Sequence, residues 1–267
     1  MALSRTPRLG VVVPPENPTA EPEFNRLVGD RMNVFAARFP VTPDLGLRDM
    51  LETYNTVLPE TLAGFGAMRL DAAVVACSAS HYLLSPDGDR RFCAELTERA
   101  GCPVLSSTQA ILAACEALGL TRLTLVSPYE SWLTDTSRAF WEEAGLTVVR
   151  TVQVPAGERA GEIAGGRPGE QAQERFNPYE VTTEAILERV RGQVPADDCA
   201  LLFTGTGMYT LAALDELAQE TGRVLLTSNL ACAWWALHTV GARPGEGGHP
   251  LLRRLAHRMN TAGARAA

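Results

Sequence analysis

Cys77 stands directly after an apolar run, Ala72-Ala73-Val74-Val75-Ala76, and directly before Ser78-Ala79-Ser80. Small residues after a buried strand let backbone N–H groups point outward, where with a following helix start they can cradle a carboxylate or an oxyanion. The same field lowers the pKa of a thiol and makes it a nucleophile or a proton carrier. A buried cysteine that merely ends a strand has the same local sequence. Gly205-Thr206-Gly207 follows a second apolar run, Ala200–Phe203, and its glycines allow a ligand close to the backbone; a plain tight turn reads the same way. Tyr129 offers a phenol that can donate to an oxyanion or simply pack. Asn17, before Pro18, can donate, accept or only turn the chain. Ser107, Thr108, Thr227 and Ser228 read first as helix N-caps and second as ligand contacts. Trp234-Trp235 reads as buried helix. His81 is close enough to influence the Cys77 thiol, but reads as a helix N-terminal residue pointing to solvent.

The elements that must position these residues come twice. Arg8-Leu9-Gly10-Val11-Val12-Val13-Pro14-Pro15 is echoed by Arg122-Leu123-Thr124-Leu125-Val126-Ser127-Pro128-Tyr129, and Asp71–Ser78 by Cys199–Thr206. Val104-Leu105-Ser106-Ser107-Thr108-Gln109 is echoed by Val224-Leu225-Leu226-Thr227-Ser228-Asn229, in the same order. Strands are expected at 9–13, 72–76, 104–105, 123–126, 148–153, 200–203 and 224–226. Helices are expected at 46–65, 89–100, 108–118, 132–144, 178–190, 212–220, 230–239 and 251–259, with helical content over 21–39. Short buried strands alternating with helices predict an α/β protein with parallel sheets of about four strands in each half. Residues 1–119 form the first half, with the Cys77 loop, and 120–240 the second, with Gly205-Thr206; 241–267 hold a C-terminal helix that packs back. The stretch 155–176, rich in Gly, Glu, Ala and Arg, reads as a surface flap. In open α/β sheets ligands bind at strand C-termini, so the site is expected in the crevice between the halves.

Composition narrows the partners. A chain of 267 residues with 46% hydrophobic and 21% charged residues can bury a sizeable core. A formal net charge of −7 and the lack of a basic, aromatic-interleaved stripe argue against nucleic acid. No apolar run reaches the ~18 residues of a membrane span, and no signal-peptide core is evident, which predicts a cytoplasmic protein. The six cysteines and four histidines show no C-x-x-C or H-E-x-x-H spacing, so no metal site is expected. The oligomeric state is open; an acidic surface permits a monomer or a homo-oligomer.

The strand end Val13-Pro14-Pro15-Glu16-Asn17-Pro18, the segment Asp71–Ser80, the loop Val126-Ser127-Pro128-Tyr129 and the run Ala200–Thr206 before Leu226-Thr227-Ser228-Asn229 together resemble the aspartate/glutamate/hydantoin racemase superfamily. Within it, they are similar to the branch of maleate cis-trans isomerase and arylmalonate decarboxylase. The resemblance implies two flavodoxin-like halves with parallel four-stranded sheets, related by a pseudo-twofold axis, and an active site between them. It implies no cofactor or metal and a small carboxylate as substrate. In the racemases two cysteines face each other across the substrate and exchange a proton beside a carboxylate. In the isomerases the first cysteine adds to a carbon–carbon double bond; in the decarboxylases only the second is present and protonates an enediolate.

Carried over, the resemblance makes Cys77 and Tyr129 catalytic and places Pro14, Pro15, Asn17, Ser78, Ala79, Gly205, Thr206 and Gly207 around the substrate. The chain departs at the second cysteine, whose place falls at Gly205 or Thr204, so two-thiol racemisation is not expected. Cys199 lies at the far end of that strand. Ala79 stands where the decarboxylase has a second hydroxyl, and Gly205 makes room for a substrate bulkier than maleate. The leading expectation is a Cys77-dependent cis-trans isomerase of a small unsaturated carboxylate. The alternatives are a decarboxylase with Cys77 as single proton donor, a racemase-like carbon-acid enzyme, and a non-catalytic carboxylate-binding protein.

Overall fold

The computed structural model describes residues 5–156, 175–195, 199–245 and 248–266. The expected flap at 155–176 lies mostly outside the described residues. Its two ends meet where the Ala156 N–H donates to the Arg175 carbonyl at 2.8 Å.

The first sheet has the order β2 (Asn33–Arg38), β1 (Arg8–Val13), β3 (Ala72–Val75), β4 (Val104–Ser106), with every pair parallel. The second repeats it as β6 (Thr147–Gln153), β5 (Arg122–Ser127), β7 (Ala200–Phe203), β8 (Leu225–Thr227), also parallel. The repeat read in the sequence is therefore a repeat of sheet order. Strands β3 and β7 are buried along their whole length, as central strands covered on both faces must be.

The strand β2 corrects the expectation of helical content over 21–39. Helix α1 (Ala20–Val28) ends at Gly29, whose φ of 56° breaks it, and the chain returns as an edge strand. That strand is exposed or half-buried throughout, so it lacks the apolar signature of its neighbours.

The remaining helices are α2 (Leu47–Ala63), the single turn α3 (Ser78–His81), α4 (Pro86–Ala100), α5 (Ser107–Leu118), α6 (Ser131–Glu143), α7 (Thr183–Gln193), α8 (Leu211–Thr221), α9 (Ser228–Thr239) and α10 (Pro250–Ala266). Helix α7 begins five residues later than the expected 178, because Thr182 caps it by accepting the Ala185 N–H. The halves join where α5 packs on α9, with α1 and α10 against the same layer. Ile111, Ala114, Ala231 and Ala233 are fully buried there, and small side chains let the helices approach closely. Helix α10 touches α5 of the first half and α8 and α9 of the second. Trp234 and Trp235 are half-buried rather than core, and Trp234 stacks on His238. Among the described residues no helix is long and apolar enough to cross a membrane.

Candidate active site

A cleft of about 340 Å³ opens where the strand C-termini of the two halves face each other. Its floor comes from four strand-end loops: Pro14 and Glu16 after β1, Cys77, Ser78 and Ala79 after β3, Tyr129 and Glu130 after β5, Thr206 and Gly207 after β7. Its walls are Leu47, Met50, Leu51 and Tyr54 of α2, Leu133 of α6, and residues 175–179. Seven of the ten expected site residues thus line one cavity. Pro15, Asn17 and Gly205 do not line it.

The α2 face was legible as an apolar stripe, but not as a cleft wall. Tyr179 was hidden inside the expected helix 178–190. Its ring lies directly over Gly207, at a distance no side chain there would permit. The Thr182 cap, with a hydroxyl three residues before Ala185, was the signal that frees Tyr179 from the helix.

Cys77 is almost fully buried, directly before α3. Burial pushes its thiol pKa up; the Ser80 hydroxyl and the N–H groups of Ser80 and Ala79 act in the opposite sense without overcoming it. The expected lowering is thus reversed, and burial favours the neutral thiol over the thiolate. Tyr54, Tyr129 and Tyr179 surround it. Burial pushes Tyr54 up to about 12 and holds Tyr129 well above the ordinary phenol range, so these hydroxyls are donors at neutral pH. Ser78 lies beneath, its hydroxyl tied to Ser107 at 2.8 Å and Ser228 at 3.1 Å. Ser107 and Ser228 open α5 and α9, while the caps themselves are Ser106 and Thr227.

The strand register settles which residue stands opposite Cys77. Val12 pairs with Val75 and Val126 with Phe203. The Ala76 N–H then donates to Val12 and the Thr204 N–H to Val126. Ala76 is therefore the counterpart of Thr204, and Cys77 that of Gly205. Gly205 has φ +94°, and a Cβ there would lie 3.0 Å from Pro128 Cγ and 3.1 Å from Tyr129 Oη. The phenol of Tyr129 occupies the space a side chain would need. Gly205→Ala is expected to cost about 1–3 kcal/mol from backbone strain. Part of that loss should return in the Gly205→Ala, Tyr129→Phe double variant, as read by urea denaturation.

The second loop is held from the first half. Asn17 accepts the N–H groups of Thr19 and Ala20 and donates to Thr206 Oγ1 at 3.2 Å. Thr206 Oγ1 donates to the Ala76 carbonyl at 2.6 Å, and Thr19 Oγ1 to the Gly207 carbonyl at 2.7 Å. Glu23, fully buried, accepts the N–H groups of Thr210 and Leu211 at the start of α8 and the Asn229 amide at 2.8 Å. Asn229 also donates to the Thr206 carbonyl at 3.0 Å. Asn17 is thus a hinge pin between the halves, its side chain engaged in holding Thr206.

His81 does not point to solvent. It is fully buried, with Nδ1 2.7 Å from Asp89 Oδ1. The other Asp89 oxygen accepts from Ser106, Thr108 and Gln109. Burial opposes ionisation of Asp89, but His81 and these donors outweigh it and hold its pKa below the usual carboxylate value. The pair anchors the end of α3, and so the Cys77 turn, to α4, β4 and α5. Among the described residues no group of three or more His, Cys, Asp or Glu converges in a way that could hold a metal ion.

The profile of the arylmalonate decarboxylase family matches residues 9–159 of this cleft-bearing chain. The chain belongs to the arylmalonate decarboxylase family. The arylmalonate decarboxylase of Bordetella bronchiseptica is 28% identical over 256 residues, 92% of this chain and 98% of that protein. Two maleate isomerases share the fold. One is from Nocardia farcinica, a cysteine-to-serine mutant with a covalently bound succinylcysteine intermediate (TM-score 0.74, 21% identity, 93% of this chain and 98% of that one). The other is a cysteine-to-alanine form of Iso from Pseudomonas putida S16 with maleate (TM-score 0.75, 19% identity, 93% and 98%). A liganded arylmalonate decarboxylase in which one glycine is replaced by cysteine and one cysteine by serine aligns with TM-score 0.72 at 18% identity over 94% and 98%. This arylmalonate decarboxylase family member is therefore an enzyme, as the residues and their order suggested.

Proposed function

We propose that the protein is a cofactor-independent decarboxylase of malonates bearing an apolar or aryl substituent, with Cys77 as its single proton donor. The observation that carries this reading is a single buried thiol, Cys77, whose counterpart by register is a glycine, in an apolar-walled cleft. A carboxylate of the substrate rests on the hydroxyls and N–H groups of the strand-end loops, where developing negative charge is favoured. The second carboxylate lies among α2, Leu133 and Tyr179, where loss of its hydration favours departure as carbon dioxide. The carbon–carbon bond breaks, and its electron pair passes to the α-carbon and into the retained carboxylate as an enediolate. Cys77 gives its proton to that carbon, and solvent returns one to the thiolate.

Two features support decarboxylation over the isomerase expectation in this reading. An isomerase needs Cys77 as a thiolate nucleophile, and burial favours the thiol. Its substrate also carries two lasting carboxylates, and among the described residues the charged groups at the cleft are two exposed carboxylates, Glu16 and Glu130, and one arginine, Arg175.

The test is methyl(phenyl)malonate in deuterated water, with maleate in parallel. The expected outcome is carbon dioxide release and one deuterium on the α-carbon in a single configuration. A trans acid from maleate, with a Cys77-linked adduct in the intact mass, would replace this reading with the isomerase.

A further inference from the structure

The edge strands of the two sheets end on residues of different type that do the same thing. Arg38 closes β2 beside Val13, and Gln153 closes β6 beside Ser127; by register these are counterparts. Each side chain reaches over the loop that follows the neighbouring central strand. Arg38 Nη1 donates to the carbonyls of Pro14, Pro15 and Asn17 at 3.2, 3.0 and 3.3 Å, while Nη2 is held by Glu21 at 2.9 Å. Gln153 Nε2 donates to the Tyr129 carbonyl at 2.9 Å.

These carbonyls fix the direction of the N–H groups behind them. In a planar trans peptide the C=O of one residue and the N–H of the next point in opposite directions, and no cis bond occurs among the described residues. Holding the Pro15 carbonyl outward turns the Glu16 N–H the other way, and holding the Tyr129 carbonyl turns the Glu130 N–H likewise. Glu16 and Glu130 both line the cleft, each the third residue past its strand. Arg38 and Gln153 themselves do not line it, so the two carbonyls are drawn away from the cleft and the N–H groups of the following residues are turned toward it. In the first loop the prolines have no N–H, and the Asn17 N–H turns back to the Pro14 carbonyl at 3.2 Å. Glu16 is left as the donor that this loop can offer.

We infer that Arg38 and Gln153 are a pseudo-symmetric pair of positioning residues that aim the Glu16 and Glu130 N–H groups into the cleft to hold a substrate carboxylate. Without Arg38 the Pro15 peptide can turn its carbonyl inward, where an oxygen dipole repels the carboxylate; without Gln153 the Tyr129 carbonyl keeps one hold, the Thr134 hydroxyl at 2.9 Å, and the peptide is less firmly aimed. This rests on the carboxylate-binding part of the proposed function and holds for decarboxylation or isomerisation alike.

The test uses two unreactive probes, phenylacetate and succinate, followed through the backbone amide resonances of the ¹⁵N-labelled protein. In the unaltered protein, the Glu16 and Glu130 amides are expected to shift on binding. Arg38→Met should weaken binding about tenfold, as expected for loss of a donor to a charged group, and Gln153→Leu about threefold, because Thr134 still holds the Tyr129 carbonyl. Each should raise KM with little change in kcat and diminish the shift in its own loop only. Arg38→Lys should recover part of the affinity, and millimolar guanidinium should recover part for Arg38→Met. Binding that leaves both amides unmoved, or variants that bind as tightly as the unaltered protein, overturns the inference and spares the proposed function. If the unaltered protein binds neither acid, the inference and the carboxylate site fall together.

Discussion

Cys77→Ser is expected to lower turnover of an arylmalonate by about 10²–10⁴-fold, the range of a lost general acid, while substrate affinity changes only a few-fold. The asymmetry follows from where the thiol acts. Carboxylate binding falls to the strand-end N–H groups and hydroxyls, which the substitution leaves in place. Under the proposed function proton delivery falls to Cys77, because its counterpart is Gly205 and not a second thiol. A serine hydroxyl is a far weaker acid than a thiol at the same point. Under single-turnover conditions the variant should still bind a product acid, as seen by amide shifts, yet release carbon dioxide slowly. Equal loss of affinity and turnover would show that the substitution disturbs the cleft and would remove the case for Cys77 as acid. A residual product of mixed configuration would point to solvent as the proton source in the variant, since no second carrier stands opposite.

How much of this could be read beforehand depends on whether the cause was local. The Cys77 turn was legible because a strand, a thiol and a run of small residues are adjacent in the chain. The two-sheet plan was legible because central strands buried on both faces must be continuously apolar, as in Ala72–Val75 and Ala200–Phe203. Strand β2 was not, since an edge strand carries no such demand and Ala36-Ala37-Arg38 suits a helix equally well. The sign of the Cys77 shift was misjudged because the sequence displays the nearby N–H groups but not the depth of burial, and burial is the larger effect. Arg38 and Gln153 share a register and a role without sharing a residue type, so a repeat search passes over them. His81 and Asp89 were separated by a helix boundary that only packing could close.

Asp89→Ala is expected to be the most destabilising single substitution around the site, at about 3–5 kcal/mol, because removing the buried carboxylate leaves several buried donors without their acceptor. Asp89 and His81 are both fully buried, and Ser106, Thr108 and Gln109 also point their donors at the lost carboxylate. At roughly 2–4 °C per kcal/mol for a chain of this size, the melting temperature should fall by about 10 °C or somewhat more. The pH dependence has a definite sign. The Asp89 pKa is lowered in the folded protein, so its stabilisation is complete above the unfolded carboxyl value, near 3.9, and is lost as pH falls through the folded value. The unaltered protein should therefore lose stability steeply below about pH 4, and Asp89→Ala should lack that part of the slope. Urea denaturation at pH 7 and at acid pH separates the two effects. Stability within about 1 kcal/mol of the unaltered protein at pH 7 would mean that the network relaxes around the lost carboxylate and that α3 needs no such anchor. A large loss of stability with turnover retained in the folded fraction would keep Asp89 as a scaffold for the Cys77 turn and deny it any part in the chemistry.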